Sequence, residues 1–368
     1  MWAFAFHHHL FERVQLMSGK RFVAVLSSSL LIALIAGCSS AKEKPVAEAK
    51  GTEAKASDAK PATAETLKID GSSTVFPVME AVAEEFQVSS KRKVTVGISG
   101  TGGGFKKFVR GETDISNASR PILKEELEQA KANGIEFIEL PICFDALTVV
   151  VNRANPLNEI SIPELKKMWE PAAQEKVTKW KQVNDAWPDE KLTLFGAGSD
   201  SGTFDYFTEA INGKAKASRG DYTASEDDNT LVQGVSGDKH ALGYIPYAYY
   251  APNESKLKAL AIIDSKPDAK GVLPAPENVL KGTYTPLSRP LFIYVNKKSA
   301  EKPEVKEFVE FLIKHVGELA TEVKYLPLPN EAYTKITERF AKRTTGSVFG
   351  GVPEVGLSIQ DIVNREAK

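Results

Sequence analysis

The sequence predicts an α/β protein built from two lobes joined by two strands. Three observations predict it. Short apolar strands alternate with helical segments along the chain, a pattern that belongs to mostly parallel sheets with helices on their faces. Two near-continuous apolar segments, residues 146–152 and 289–296, both end in Val-Asn and bracket a second α/β unit, as crossovers between lobes would. Three Ser/Thr/Gly-rich loops each stop where an amphipathic helix begins: Gly71-Ser72-Ser73-Thr74, Ser99-Gly100-Thr101-Gly102-Gly103-Gly104 and Gly198-Ser199-Asp200-Ser201-Gly202-Thr203.

Ahead of this region stands a leader. Lys20-Arg21 precedes an apolar run over 22–36 that ends at Ile35-Ala36-Gly37-Cys38. Charged start, apolar middle and small-residue end make a signal peptide over 1–37. The run is short of the ~20 residues that span a bilayer. A Cys directly after Ala-Gly resembles a bacterial lipobox, with Ile35 where Leu is commoner, which implies that Cys38 becomes a lipidated N-terminus. Met17-Ser18-Gly19-Lys20-Arg21 is a natural start, so residues 1–16, with His7-His8-His9, read as a start-site extension. Residues 38–66 hold Ala, Lys, Glu, Pro and Thr and no aromatic side chain, the composition of a solvated tether.

The first lobe is expected at 67–150 and 290–368. A strand at 67–70 leads into the first loop, and Val78, Val82 and Phe86 share one face of a helix over 77–87. Val94, Val96 and Ile98 alternate as a second strand; the second loop follows, then Phe105, Phe108 and Val109 at helical spacing. Asp114-Ile115-Ser116-Asn117-Ala118-Ser119-Arg120-Pro121 reads as a strand running into a turn. A helix at 124–133, stopped by Gly134, precedes a strand at 137–142. The second lobe, 151–289, carries a helix at 162–169, a strand at 192–195, the third loop, the helix face Phe204, Phe207 and Ile211, and a return strand at 243–247. A long helix over 303–321 then packs back on the first lobe.

A helix N-terminus presents unpaired N–H donors and a partial positive charge. Ser and Thr add hydroxyls, and Gly lets the backbone approach closely. Three such loops meeting at one point make a dry site for a small oxyanion. The full chain has a formal charge of −1. Counted from Cys38 it is −3, because the leader takes Glu12, Arg13, Lys20 and Arg21 with it. No basic excess suggests nucleic acid, so any positive site is made locally, from dipoles and one or two cations. Of two cysteines, Cys38 is lipidated on this reading, which leaves Cys143 without a disulfide partner.

Four motifs in order resemble the phosphate-binding protein of the bacterial Pst-type ABC transporter: Asp-Gly-Ser-Ser-Thr-Val-Phe-Pro at 70–77, Ser-Gly-Thr-Gly-Gly-Gly-Phe at 99–105, Asp-Ile-Ser-Asn-Ala-Ser-Arg-Pro at 114–121 and Gly-Ser-Asp-Ser-Gly-Thr-Phe-Asp-Tyr-Phe at 198–207. The resemblance runs from Leu67 to the C-terminus. It implies a two-lobed fold like the periplasmic binding proteins (type II, flytrap) with two hinge crossovers, closing on phosphate. It implies delivery to an ABC permease and ATPase in the membrane, a lipid-anchored place in the periplasm or on the cell surface, and a monomer without cofactor or metal. The implied phosphate-binding residues are Ser73, Thr74, Thr101, Gly102, Ser119, Arg120, Asp200, Ser201, Gly202 and Thr203. Some family members carry an Arg just before the third Ser-Gly-Thr, where Ala197, Gly198 and Ser199 stand here, and Arg120 is the natural substitute. A buried carboxylate that accepts phosphate's proton would reject sulfate, which has none. Asp200, Asp70, Asp145 and Asp114 are its candidates, Asp200 being favoured for its place in a binding loop.

Other functions fit less well. A hydrolase needs a base beside Ser201, yet past the leader only His240 and His315 exist, neither with a recognisable partner. Gly102-Gly103-Gly104 is followed by Phe105-Lys106-Lys107, not the Gly-Lys-Ser/Thr of a nucleotide loop. No His or Cys spacing suits a metal. A receptor for another tetrahedral oxyanion, or a phosphate-sensing or adhesion surface lipoprotein, remains the alternative.

Overall fold

In the computed structural model, which describes residues 66–266, 268–352 and 354–365, the chain enters its sheet at β1 (Leu67–Gly71). Leu67 and Ile69 turn inward there and Lys68 outward. β1 lies between β2 (Val94–Val96) and β3 (Ile115–Ala118), parallel to both. Helix α1 (Phe76–Ser90) connects β1 to β2, and α2 (Gly100–Phe108) connects β2 to β3. α1 buries Val78, Met79, Val82 and Phe86 on one face, with Pro77 in its first turn, where a missing N–H costs nothing. Lys91 ends it with φ 60°.

α2 starts earlier than expected, inside the second Ser/Gly loop rather than after it. A β-carbon on Gly104 would lie 2.5 Å from the Cα of Gly71. The glycines therefore let helix backbone rest directly on β1, and that contact outweighs their low helix propensity.

After α3 (Lys124–Ala132) the sequence suggests two strands, at 137–142 and 146–152. The structure has a single 16-residue strand, β4 (Phe137–Asn152). One strand, β11 (Ser288–Asn296), pairs along both pieces; its adjacent residues Leu291 and Phe292 pair with Cys143 and Pro141, so the register shifts there and the extra residue, Ile142, lies in β4. Pro141 has no N–H for the ladder, and a bulge absorbs its loss without ending the strand. The first part of β4 pairs antiparallel with β11, and the second with β8 (Ala241–Pro246).

Beyond β8 the sheet continues through β6 (Thr193–Ala197) to β7 (Thr223–Ser225), both pairings parallel. α4 (Ile162–Trp169), α5 (Gly202–Asn212) and α6 (Asp228–Gly237) belong to this half. The order is β2-β1-β3-β11-β4-β8-β6-β7. Each outer trio is parallel, as the alternation predicts, while the two linking strands run antiparallel at the centre. β9 (Leu257–Ala259) and β12 (Leu326–Pro327) pair with β4, and β5 (Glu159–Ser161) pairs with β10 (Ala261–Ile263) in a separate ribbon. Short helices α7 (Tyr247–Tyr250) and α8 (Pro276–Leu280) precede the long α9 (Pro303–Glu322). α9 packs on α1, with Phe308 edge-on to Phe86 at 5.2 Å. α10 (Asn330–Ala341) and α11 (Ile359–Asn364) complete the chain.

The leader, Cys38 and the tether up to residue 65 lie outside the described residues. Among the described residues no helix is long and apolar enough to cross a membrane, and no His, Cys, Asp and Glu group could hold a metal ion. Cys143 is buried and free, its thiol pushed up by burial and by Asp145.

Candidate functional site

The three Ser/Thr loops end at the N-termini of α1, α2 and α5, and these termini meet. Ser72, Ser73, Thr74, Thr101, Ser119, Ser201 and Thr203 are all buried. Thr74 Oγ1 and Thr203 Oγ1 lie 3.0 Å apart. Ser72 Oγ donates to Ser119 Oγ at 3.0 Å, and Ser119 Oγ lies 3.2 Å from Thr101 Oγ1. The Ser119 N–H donates to Thr101 Oγ1 at 3.1 Å. Ser201 caps α5 by accepting the Thr203 N–H at 3.1 Å, and the Gly102 N–H donates to the Asp200 carbonyl at 2.8 Å. A β-carbon on Gly202 would collide with Thr101 Oγ1 and stand 2.5 Å from Ser119 Oγ, so only glycine lets α5 come this near.

Against two of these hydroxyls, those of Thr74 and Thr203, lies a cation that sequence reasoning missed. Arg289, from β11, is fully buried. Its Nη2 donates to Thr203 Oγ1 at 2.8 Å and to Thr74 Oγ1 at 3.2 Å, and its Nη1 to the Gly202 carbonyl at 3.2 Å. The guanidinium is held from behind by Asp145 of β4, whose Oδ2 accepts from Nε at 3.1 Å and from Nη2 at 3.0 Å. Burial raises the Asp145 carboxyl, and Arg289 opposes the rise. Arg289 thus joins hydroxyls from loops on both half-sheets. A charged residue inside an apolar strand was the available signal, since an Arg is almost never fully buried unless paired.

Arg120 does not take part in this cluster. Its Nε donates to Asp205 Oδ2 at 2.7 Å, its Nη1 and Nη2 to Glu126 at 2.8 Å each, and its Nη1 also to the Pro121 carbonyl at 3.0 Å. Two carboxylates and a carbonyl draw the fork away from the hydroxyls. Asp200 is likewise turned outward: its Oδ1 pairs with Lys106 at 2.7 Å, and its side chain is 42% exposed.

The other carboxylates proposed as proton acceptors are also engaged. Asp70 pairs with Lys107 at 2.6 Å and accepts from Ser99 Oγ. Asp114 accepts from Ser299 Oγ at 2.7 Å and from Lys302 at 3.1 Å. Asp145 holds Arg289. Among the described residues three carboxylate oxygens are buried without a hydrogen-bond partner: Asp205 Oδ1, Glu226 Oε2 and Asp228 Oδ2. Asp205 already serves Arg120, and Glu226 accepts the Asp200 N–H at the rim, at 3.1 Å. Asp228, the first residue of α6, is different. Ser73 of the first binding loop and Arg289 both favour its charged form, and burial pushes its carboxyl up to about 7 against both. Tyr249 closes this side, its hydroxyl donating to the Ser73 carbonyl at 3.1 Å. In sequence Asp228 stands in Glu226-Asp227-Asp228-Asn229, which looks like any solvated acidic turn.

Comparison with known proteins gives consistent matches. A PBP superfamily domain matches residues 56–315. Protein SphX of Synechococcus elongatus is 54% identical over 298 residues, covering 81% of this chain and 88% of that protein. Phosphate-binding protein PstS of Staphylococcus saprophyticus is 36% identical over 274 residues, 73% of this chain and 82% of that protein. Among solved structures, a possible phosphate-binding protein from Planctomyces limnophilus is 51% identical, with TM-score 0.58, covering 76% of this chain and 99% of that one. A putative phosphate ABC transporter substrate-binding protein from Clostridium perfringens, with bound phosphate, is 25% identical, with TM-score 0.61, covering 72% and 100%.

Proposed function

The chain belongs to the PBP superfamily and, within it, to the Pst-type phosphate-binding proteins, and from that premise we propose that it captures inorganic phosphate outside the cytoplasm and delivers it to an ABC permease. The observation that carries the reading is the buried cluster of Thr74, Thr101, Ser119 and Thr203 hydroxyls beside Arg289 at three helix N-termini. Such donors, once turned from one another toward a ligand, hold a desolvated oxyanion. The similarity to a phosphate ABC transporter substrate-binding protein supports binding and hand-over of the anion as the role proposed for this chain.

The contacts we assign are the hydroxyls of Ser73, Thr74, Thr101, Ser119, Ser201 and Thr203, the backbone near Gly102 and Gly202, and Arg289 in place of Arg120. Asp228 replaces Asp200 as the carboxylate that receives phosphate's proton. Its unpartnered Oδ2 meets a donor in phosphate and only an acceptor in sulfate. The lobes are taken as 67–150 with 290–368 and as 151–289, which makes β4 and β11 the hinge. The leader and Cys38 support a lipid anchor on a long tether, and we take the protein to act as a monomer.

Thermal unfolding with phosphate, arsenate, sulfate and molybdate, followed by calorimetry, tests this. Phosphate is expected to raise Tm at micromolar concentration and sulfate is not. A Tm indifferent to phosphate would sink the reading.

A further inference from the structure

We propose that Arg120 holds the two lobes together by carrying Asp205 across the cleft, and so sets how slowly the anion leaves without touching it. The closure half of this inference stands on geometry alone; the rate half rests on the phosphate reading above. Arg120 follows β3 in the first half-sheet, and Asp205 lies in the first turn of α5 in the second. Their side chains are 4% and 2% exposed and meet at 2.7 Å. Arg120 keeps Glu126, from α3 of its own half, as a partner in any arrangement of the lobes. Asp205 has no such reserve. Its Oδ2 accepts from Arg120, its Oδ1 is buried without a partner, and the other groups acting on it are Lys216, which favours its charge, and Glu126, which opposes it.

That asymmetry makes the pair directional. With the lobes apart, Asp205 is solvated and Arg120 stays neutralised by Glu126. With the lobes together, Asp205 gives up water on both oxygens, and Arg120 supplies the compensation. Removing one partner of a buried pair leaves an uncompensated charge, a far larger penalty than the pair's own net worth. Without Arg120 the closed form would hold a buried Asp205 uncompensated beside the like charge of a half-buried Glu126, and the open form would carry no such burden. Affinity scales with the closed fraction, because the anion is gripped only there. The Lys106–Asp200 pair, with side chains 60% and 42% exposed, contributes little.

The test is a double-variant cycle with two readouts. Small-angle scattering of the unliganded protein reads closure, and stopped-flow release of phosphate reads the rate. Arg120→Met is expected to expand the unliganded protein and to speed release about tenfold or more. Arg120→Met with Asp205→Asn, which buries no lone carboxylate at 205, should restore compactness and most of the slow release. Arg120→Lys, which keeps the charge without the fork, should fall between, and it carries the test if the methionine variant does not fold. A double variant as weak as the single one would mean that Arg120 grips the anion directly, and wild-type scattering and release in the single variants would also overturn the proposal. Failure of wild type to bind phosphate would refute the functional reading and leave the scattering result to judge the latch.

Discussion

Replacing Asp228 with Asn separates an acceptor role from a purely structural one. The group is buried, and its carboxyl rises from 3.8 to about 7, chiefly by desolvation. Folding therefore favours its proton, and the sign follows. Wild-type stability without ligand falls as pH rises from about 4 to about 7, where the unfolded carboxyl has ionised and the folded one resists, and it levels above. A rise from 3.8 to about 7 is worth about 4 kcal/mol at 1.36 kcal/mol per pH unit. Asp228→Asn removes that penalty, so its advantage in urea unfolding should be near zero at pH 4 and grow toward that ceiling at pH 8. Binding should move the other way. In wild type, sulfate faces Asp228 Oδ2 acceptor to acceptor, while the amide of Asn can donate. An unmade hydrogen bond to a buried group costs about 1–3 kcal/mol, so sulfate should bind about 5- to 150-fold tighter in the variant. Phosphate should weaken modestly, because a charge-assisted bond becomes a neutral one. Calorimetry with both anions at pH 8 measures the ratio. A phosphate-to-sulfate preference equal to wild type would refute the assignment, and so would a stability difference that ignores pH.

Arg289→Lys keeps a charge but cannot reach Asp145, Thr74, Thr203 and the Gly202 carbonyl together; phosphate affinity should fall about 100-fold and urea unfolding show a loss of about 3 kcal/mol. Gly202→Ala drives a methyl into Thr101 Oγ1 and Ser119 Oγ; it should lower stability by about 1–3 kcal/mol and weaken phosphate binding in the same calorimetric assay. Cys38→Ser should move the protein from the membrane fraction to the soluble one, and mass spectrometry should find no acylated N-terminal residue.

The sequence carried the loops and the helices plainly, because hydroxyl and glycine clusters before amphipathic runs are local signals. Strand β4 was legible as two pieces, 137–142 and 146–152, because the charged Asp145 breaks the apolar run between them, and β11, whose register shifts opposite the extra β4 residue Ile142, pairs along both and makes them one. Charged side chains were harder. Arg120, between Ser119 and Pro121, has the local look of a ligand, yet Glu126 and Asp205 claim it; Asp205 lies 85 residues away in sequence. Arg289 stands in a strand noted for its apolar run, and its 144-residue separation from Asp145 hides the pair that permits its burial. Asp200 was favoured for being in a loop, but loop membership fixes the backbone and leaves the side chain free to turn to Lys106. In each case hydroxyls were predictable because their short side chains stay where the backbone puts them, whereas long or ionisable ones go to partners that folding alone brings near.

The charges around Arg289 explain why so many hydroxyls are needed. Asp145 neutralises the guanidinium at 3.0 Å, and Asp228 adds a second carboxylate, so the side-chain charges alone do not make a positive site. The chain from Cys38 on is itself negative, at −3. A dianion is stable there only if fixed dipoles do what net charge does not. The N-termini of α1, α2 and α5 supply partial positive charge, and the buried hydroxyls supply donors that can rotate toward an oxygen. Asp145 then serves orientation: it fixes the guanidinium plane so that Nη2 faces Thr74 and Thr203 together. A bare cation would attract any anion, sulfate included. On the proposed assignment, a neutralised one set among oriented donors, with Asp228 as the proton's acceptor, discriminates by where the ligand's proton sits. That is the property a receptor needs if it must find phosphate in a medium holding other tetrahedral oxyanions.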